Sequence, residues 1–251
     1  MSRIQPHEYV RSRPRAALDL NGSAAAARSR DGDRYLVSAD DPLSIAAEQY
    51  RLLAARLEGI RAGQDLRAVG ITSTLPGEGK TVTAMNLAYV LAKDFGRRVL
   101  LIDGDLKKPA VWRYAGDDPR PGLADLMADP SAGTDAYVHQ LRHESLYVLE
   151  AGVAPVNPTR LWRSSRVKEL FARARQEFDY LIVDTPPVLT LVDTTLIANL
   201  IDGIAVVVRA GMTPKGLLQK ALKVLPGDKI LGTVFNGAPM PRTSYYYYQL
   251  R

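Results

Sequence analysis

The 251-residue chain contains no cysteine, which excludes disulfide staples and a thiol nucleophile. It also lacks a long apolar run. A bilayer-spanning helix needs about 18 to 20 such residues, and the strongest stretch, 196–208, is interrupted by Asn199 and Asp202. Arg3, Arg11, Arg13 and Arg15 precede no hydrophobic core, so no secretory signal is expected and the protein is placed in the cytoplasm. Internal repeats are absent. Histidine is scarce, and although His139 and His143 stand four apart, as they would on one face of a metal-binding helix, no third ligand pattern accompanies them.

What remains is a chain of 46% hydrophobic content in which apolar runs alternate with helical periodicity, the pattern of a single α/β domain. The net charge of +6 is uneven: residues 1–34 hold seven arginines against four acids, without sustained periodicity. Residues 1–40 therefore read as a basic, disordered extension, either solubilising or able to touch an anionic surface. Residues 41–238 read as the folded domain. The end of the chain, 239–251, follows a Gly/Pro-rich stretch and carries Tyr245, Tyr246, Tyr247 and Tyr248 in succession. It reads either as a tethered flexible tail or as a terminal edge strand.

The densest signal is 70–81, where an apolar run ending at Ile71 passes through Thr74, Leu75, Pro76, Gly77, Glu78 and Gly79 into Lys80, Thr81 and Val82. A strand, a glycine-rich turn, a lysine and a hydroxyl at the start of a helix form a phosphate cradle. Gly77 and Gly79 let backbone N–H groups approach phosphate oxygens, Lys80 reaches the outer phosphates, and Thr81 ligates Mg2+. The G-x-x-x-x-G-K-[ST] pattern is incomplete, since Thr74 stands where the first glycine is usual. Two further apolar runs end in acids, one at Asp103 and Asp105, the other at Asp184 before Thr185, Pro186 and Pro187. Strand-end acids in a doubly wound sheet meet at the crevice that holds the ligand, so Asp103, Asp105 and Asp184 are expected beside Lys80.

The periodicity predicts helices over 42–63, 80–95 and 122–127, one ending near His143, a basic helix reaching Gln176, and others over 193–200 and 214–224. Strands are predicted at 67–72, 98–102, 145–149, 180–183, 203–208 and 229–234. Asn236 closes the last strand, either as a base contact or as an Asn-Gly turn.

With its phosphate loop, two strand-end acidic motifs and terminal tyrosine cluster, the sequence resembles the bacterial tyrosine kinases of capsule and exopolysaccharide systems. The resemblance covers the chain from about residue 40 onward. Lys107 stands where the family's D-x-D-x-R pattern has arginine, and the E-x-x-R-x-x-R motif of subunit contact appears as Glu48 and Arg51 followed by Ala54, with Arg56 two residues further on. The resemblance implies a P-loop NTPase fold with helices on both sheet faces, and ATP with Mg2+ as cofactors. It further implies that Lys80, Asp103 and Asp105 carry catalysis, with Asp103 taking the tyrosine proton, while Thr81, Asp105 and Asp184 hold the metal. Pro76 to Val82 would bind nucleotide, and Tyr245 to Tyr248 would be phosphorylated by a neighbouring subunit. The implied setting is a homo-oligomer, held through Glu48 and Arg51 and activated at the inner membrane by a polysaccharide co-polymerase. No nucleic-acid partner is expected. The alternatives are a MinD-like or partitioning ATPase switch, although the second lysine of that loop is here Leu75, and a non-catalytic ATP-binding regulator of export.

Overall fold

The computed structural model describes residues 35–115, 118–129, 131–154, 157–190 and 192–238. Most of the basic extension, and the whole tail with Tyr245 to Tyr248, lie outside the described residues.

Helices α1 (Val37–Asp40) and α2 (Ile45–Gly63) precede β1 (Ala68–Ser73), α3 (Lys80–Lys93) and β2 (Val99–Asp103). Short helices α4 (Val111–Ala115) and α5 (Leu123–Ala128) lead to β3 (Val138–Leu141) and β4 (His143–Leu149). Then come α6 (Pro158–Trp162), α7 (Ser165–Glu177), β5 (Tyr180–Asp184), α8 (Asp193–Ile197), β6 (Gly203–Arg209), α9 (Lys215–Val224) and β7 (Ile230–Asn236). The sheet runs β3-β4-β2-β5-β1-β6-β7, parallel throughout except for the antiparallel edge strand β3.

Every residue of β1, β2 and β5 is buried. Helices cover both faces of a parallel sheet, so its central strands need apolar side chains pointing both ways and read as unbroken hydrophobic runs. Successive residues enter opposite layers. Leu100, Leu181 and Val206 pack with Val167, Leu170 and Phe171 of α7. On the other face Val69, Leu101 and Ile182 pack with Leu87 and Leu91 of α3 and Leu57 of α2. From β1 the chain crosses through α3 to β2, beyond β5, whereas β6 lies on the other side of β1. The carboxyl end of β1 is thus the point where the strand order diverges, and a crevice opens there.

Two expectations are corrected. Residues 35–40, assigned to the extension, belong to the folded domain: Leu36 is buried in the α2–α3 layer, and α1 packs over both helices. One side chain fastens this segment. Buried Asn86 accepts from Ser38 N at 3.1 Å and donates to the carbonyls of Tyr35 at 2.6 Å and Val82 at 2.9 Å. Asn86→Ala strips partners from buried backbone groups, and is expected to lower the unfolding free energy by about 3 kcal/mol. Urea titration checks this, and unchanged stability would show that the clasp holds nothing.

The second correction concerns His139 and His143. They lie on neighbouring strands, β3 and β4, not on a helix: the two strands pair antiparallel, and Arg142 between them takes a left-handed turn at φ 57°. His139 instead faces Glu150, 3.6 Å away. Among the described residues no group of three or more His, Cys, Asp or Glu side chains is arranged to hold a metal, and no helix is long and apolar enough to cross a membrane.

Candidate active site

The loop leaving β1 enters α3 through Gly77 at φ 82° and Gly79 at φ 96°, a backbone conformation that only glycine adopts without strain. Gly79 is further restricted because a Cβ there would sit 2.1 Å from Asn236 Nδ2. The first N–H groups of α3 have no partner within the helix, and with the helix dipole they give the loop a positive face.

Glu78 stands inside this loop, but its side chain turns away from the positive face. One carboxylate oxygen accepts from Thr74 N at 2.7 Å and Leu75 N at 3.0 Å, and the other accepts from the Thr213 hydroxyl. The Glu78 carbonyl in turn accepts from Asn236 Nδ2 at 2.9 Å. Glu78, expected from its motif position to touch nucleotide, thus braces the loop against the β6–α9 connection and the end of β7. Asn236, expected as a base contact or an Asn-Gly turn, ties the end of the last strand to the phosphate loop. Its partnership with Glu78 spans 158 residues, so no local signal announced it.

Sheet register brings the acids together. Asp103 pairs with Asp184 across β2 and β5, and Ile71 pairs with Asp184 across β1 and β5. Thr81 donates its hydroxyl to Asp184 Oδ2 at 2.6 Å. Lys80 Nζ lies 3.1 Å from Asp105 Oδ2 and 3.4 Å from Asp184 Oδ1. Burial disfavours the Lys80 ammonium, but Asp184, Asp105 and Asp103 outweigh it and hold its pKa above the ordinary value. Burial raises Asp184 as well, against the opposing influence of Lys80 and Thr81.

Asp103 is wholly buried. Its Oδ1 accepts from Asp105 N at 3.2 Å, while Oδ2 accepts from Ala110 N at 3.0 Å and Val111 N at 3.1 Å. It therefore fixes the course of the strand-end loop and the start of α4. Burial, with the charge of Asp184 next, pushes its pKa up to about 7 despite those amide hydrogen bonds.

Of these groups Lys80, Thr81 and Asp105 line a cavity of about 410 Å³, whereas Asp103 and Asp184 are wholly buried and do not line it. Pro76, Gly77, Gly79, Lys80, Thr81 and Val82 form its phosphate side. The rest of the lining comes from the segment after β2, with Asp105, Lys107, Lys108, Ala110 and Tyr114, together with Pro187 and Thr190. Lys107 Nζ is 3.3 Å from Oδ2 of buried Asp193, whose Oδ1 accepts from the Thr159 hydroxyl at 3.1 Å. The hydroxyl of Thr81 and the carboxylates of Asp105 and Asp184 are hard oxygen donors, a set that suits Mg2+.

Residues expected at a subunit contact sit on α2, remote from this cavity in the chain. Arg51 bonds Glu48 Oε2 at 2.9 Å, Asp94 Oδ2 at 2.8 Å and the Pro42 carbonyl at 2.6 Å, all within the chain.

Residues 67–219 match the family model described as an AAA domain, the class of nucleotide-binding protein that this sheet and phosphate loop define. Tyrosine-protein kinase YwqD of Bacillus subtilis (strain 168) is 36% identical over 217 residues, 86% of this chain and 91% of YwqD. The chain belongs to the bacterial tyrosine-protein kinases. The succinoglycan biosynthesis transport protein ExoP of Rhizobium meliloti (strain 1021) is 34% identical over 212 residues, 82% of this chain but 27% of ExoP. Among solved structures, the chimerical protein CapA2B2 superposes with a TM-score of 0.78 at 28% identity, covering 82% of this chain and 91% of that one.

Proposed function

We propose that this tyrosine kinase transfers the terminal phosphoryl group of ATP to Tyr245 to Tyr248 of a neighbouring copy, and that the charge state of the tail regulates polymerisation and export of a capsular or extracellular polysaccharide. One observation carries the reading: beside the phosphate loop, Lys80 and Thr81 at the cavity meet two carboxylates, with Lys80 between Asp105 and buried Asp184 and Thr81 on Asp184.

Phosphoryl transfer asks the protein to position groups and to offset charge. Amides from Pro76 to Val82 cradle the phosphates, and Lys80 exchanges its carboxylate partners for the outer phosphate oxygens. Thr81, Asp184 and Asp105 would hold Mg2+, which when bound would supply positive charge beside the transferring group. Asp103 accepts the proton of the attacking phenol, and its raised pKa suits that task near neutral pH.

The tail follows β7 in the sequence, and that strand ends at Asn236, which is bonded to the phosphate loop. Each phosphate adds about −1.5 to −2 charges, so a modified tail is repelled by an acidic, phosphate-filled site. Glu48 and Arg51 join copies by exchanging their present internal partners for those of a neighbour. A polysaccharide co-polymerase in the inner membrane brings the kinase to that membrane and activates it.

The trans step is tested by mixing two full-length chains, one with Tyr245, Tyr246, Tyr247 and Tyr248 all changed to Phe, the other carrying Lys80→Met, with ATP and Mg2+. Mass spectrometry is expected to find phosphotyrosine on the tail of the Lys80→Met chain. A blank tail in the mixture, alongside modification in wild type alone, means that transfer occurs within one chain.

A further inference from the structure

Besides its phosphate-handling residues the cavity has an aromatic wall. Tyr114, on α4, lines it together with phosphate-loop residues. The ring of Tyr35 meets the Tyr114 ring edge to face, with centroids 4.7 Å apart and planes at 62°. These two residues come from different parts of the chain, and each is fixed in its own way. Tyr114 follows the loop that Asp103 holds through Ala110 and Val111, and its own N–H bonds the Ala110 carbonyl at 3.1 Å. Tyr35 is held through its carbonyl by buried Asn86 on the phosphate-loop helix. Tyr35 is nonetheless 45% exposed, and Tyr114, which packs on the core from one side, leaves part of its surface to the cavity.

The position of the pair within the cavity indicates what it meets. On the kinase reading, phosphates held by the loop and the start of α3 would reach Lys80 with their outer oxygens. The segment that carries Asp105 also carries Lys107, Lys108 and Tyr114 to the same cavity, so the ring and the Lys80 partner Asp105 share one stretch of lining, with α4 in contact with α3.

We infer that Tyr114, braced by Tyr35, is the seat for the acceptor's aromatic ring and a positioning residue for tyrosine. Packed against the Tyr114 face or edge, the incoming phenol is held with its hydroxyl toward the terminal phosphate. A serine or threonine has no ring to rest there and is left loosely placed, so this contact contributes to the choice of tyrosine over aliphatic hydroxyls. The inference rests on the kinase assignment but not on the identity of the acceptor tail.

The test measures steady-state phosphorylation of two acceptors by the full chain, namely a synthetic 243–250 peptide and a random glutamate–tyrosine copolymer. Wild type is compared with Tyr114→Ala, Tyr114→Phe and Tyr35→Leu, and the affinity of each for a fluorescent ATP analogue is recorded. Tyr114→Ala is expected to raise the acceptor KM by about tenfold, the scale of one lost aromatic contact, with kcat and analogue affinity within about twofold of wild type. Tyr114→Phe keeps the ring and stays near wild type, and Tyr35→Leu raises KM by a smaller factor. Unchanged acceptor KM in Tyr114→Ala overturns the inference. So does a loss of analogue affinity without a change in acceptor KM, which would assign the ring to the nucleotide base. If Tyr114→Ala fails to fold, Tyr35→Leu decides in the same way. Wild type that modifies the copolymer and ignores the peptide refutes the tail as acceptor, while the comparison of variants on the copolymer still judges the aromatic seat.

Discussion

Lys80→Met is expected to reduce tyrosine phosphorylation by about a thousandfold, the scale on which a preorganised charge acts at a transferring group. Methionine roughly preserves the volume of the side chain and removes its charge, so the loss reports electrostatics and not a hole in the packing. The same substitution reaches beyond catalysis. In the nucleotide-free protein Lys80 is the cation facing Asp105 and Asp184, both buried, with wholly buried Asp103 nearby. Its removal leaves carboxylates in a poorly solvated place with their partner gone, and breaking such a pair typically costs about 3 to 5 kcal/mol. The remaining acids hold protons more tightly, so the deficit relative to wild type grows as pH rises. Urea unfolding at pH 5.5 and pH 8 reads it directly. A variant equally stable at both values and equal to wild type would mean that water, not Lys80, screens these acids.

Asp103→Asn is the second large effect expected, with kcat lower by about a hundredfold or more and nucleotide affinity little changed. Because Asp103 also holds Asp105 N, Ala110 N and Val111 N, a lower rate alone does not separate proton acceptance from positioning. The pH profile does. Wild type should gain activity as Asp103 loses its proton and then level off, whereas Asp103→Asn should lack that rise. A lower plateau with the rise retained assigns Asp103 a positioning role alone. Stability provides a second readout in the nucleotide-free protein. The folded pKa of about 7 lies above the ordinary carboxylate value, so between roughly pH 4 and 7 the folded state binds more protons than the unfolded one. Stability from this group is complete at low pH and declines as pH rises through that window. Replacing Asp103 should flatten the decline in melting temperature, whatever it does to the absolute value.

The parts of the fold that could be read from sequence were those whose burial is simplest. Runs such as 99–103 and 180–184 are apolar on both faces because helices cover both faces, and the acids at their ends needed only the sheet register to meet. Segments with weak local patterns were harder. The spacing of His139 and His143 suits a helix as well as a hairpin, and the hairpin wins because β3 pairs with β4 at the sheet edge. Residues 35–40 contribute one strongly buried apolar anchor, Leu36, too little to stand out from an arginine-rich extension. Within the site, Lys80, Thr81, Asp105 and Asp184 were expected together and meet. The outward turn of Glu78, its hydroxyl partner Thr213, the hold of Asn236 and the place of Tyr114 at the cavity all depend on contacts between distant parts of the chain.

The stitching of the phosphate loop to Thr213 and Asn236 has a consequence for how the protein is made. The loop is synthesised well before either residue, and its partners lie 135 and 158 positions further along. Until β6 and β7 are laid beside β1, Glu78 has nothing to brace against, and the cradle cannot settle into its final shape. Contacts of such wide sequence separation form late in folding. A ribosome that stalls before Asn236 therefore releases a chain with every phosphate-binding residue and no competent site, so a prematurely ended product is silent and does not act as a stray kinase.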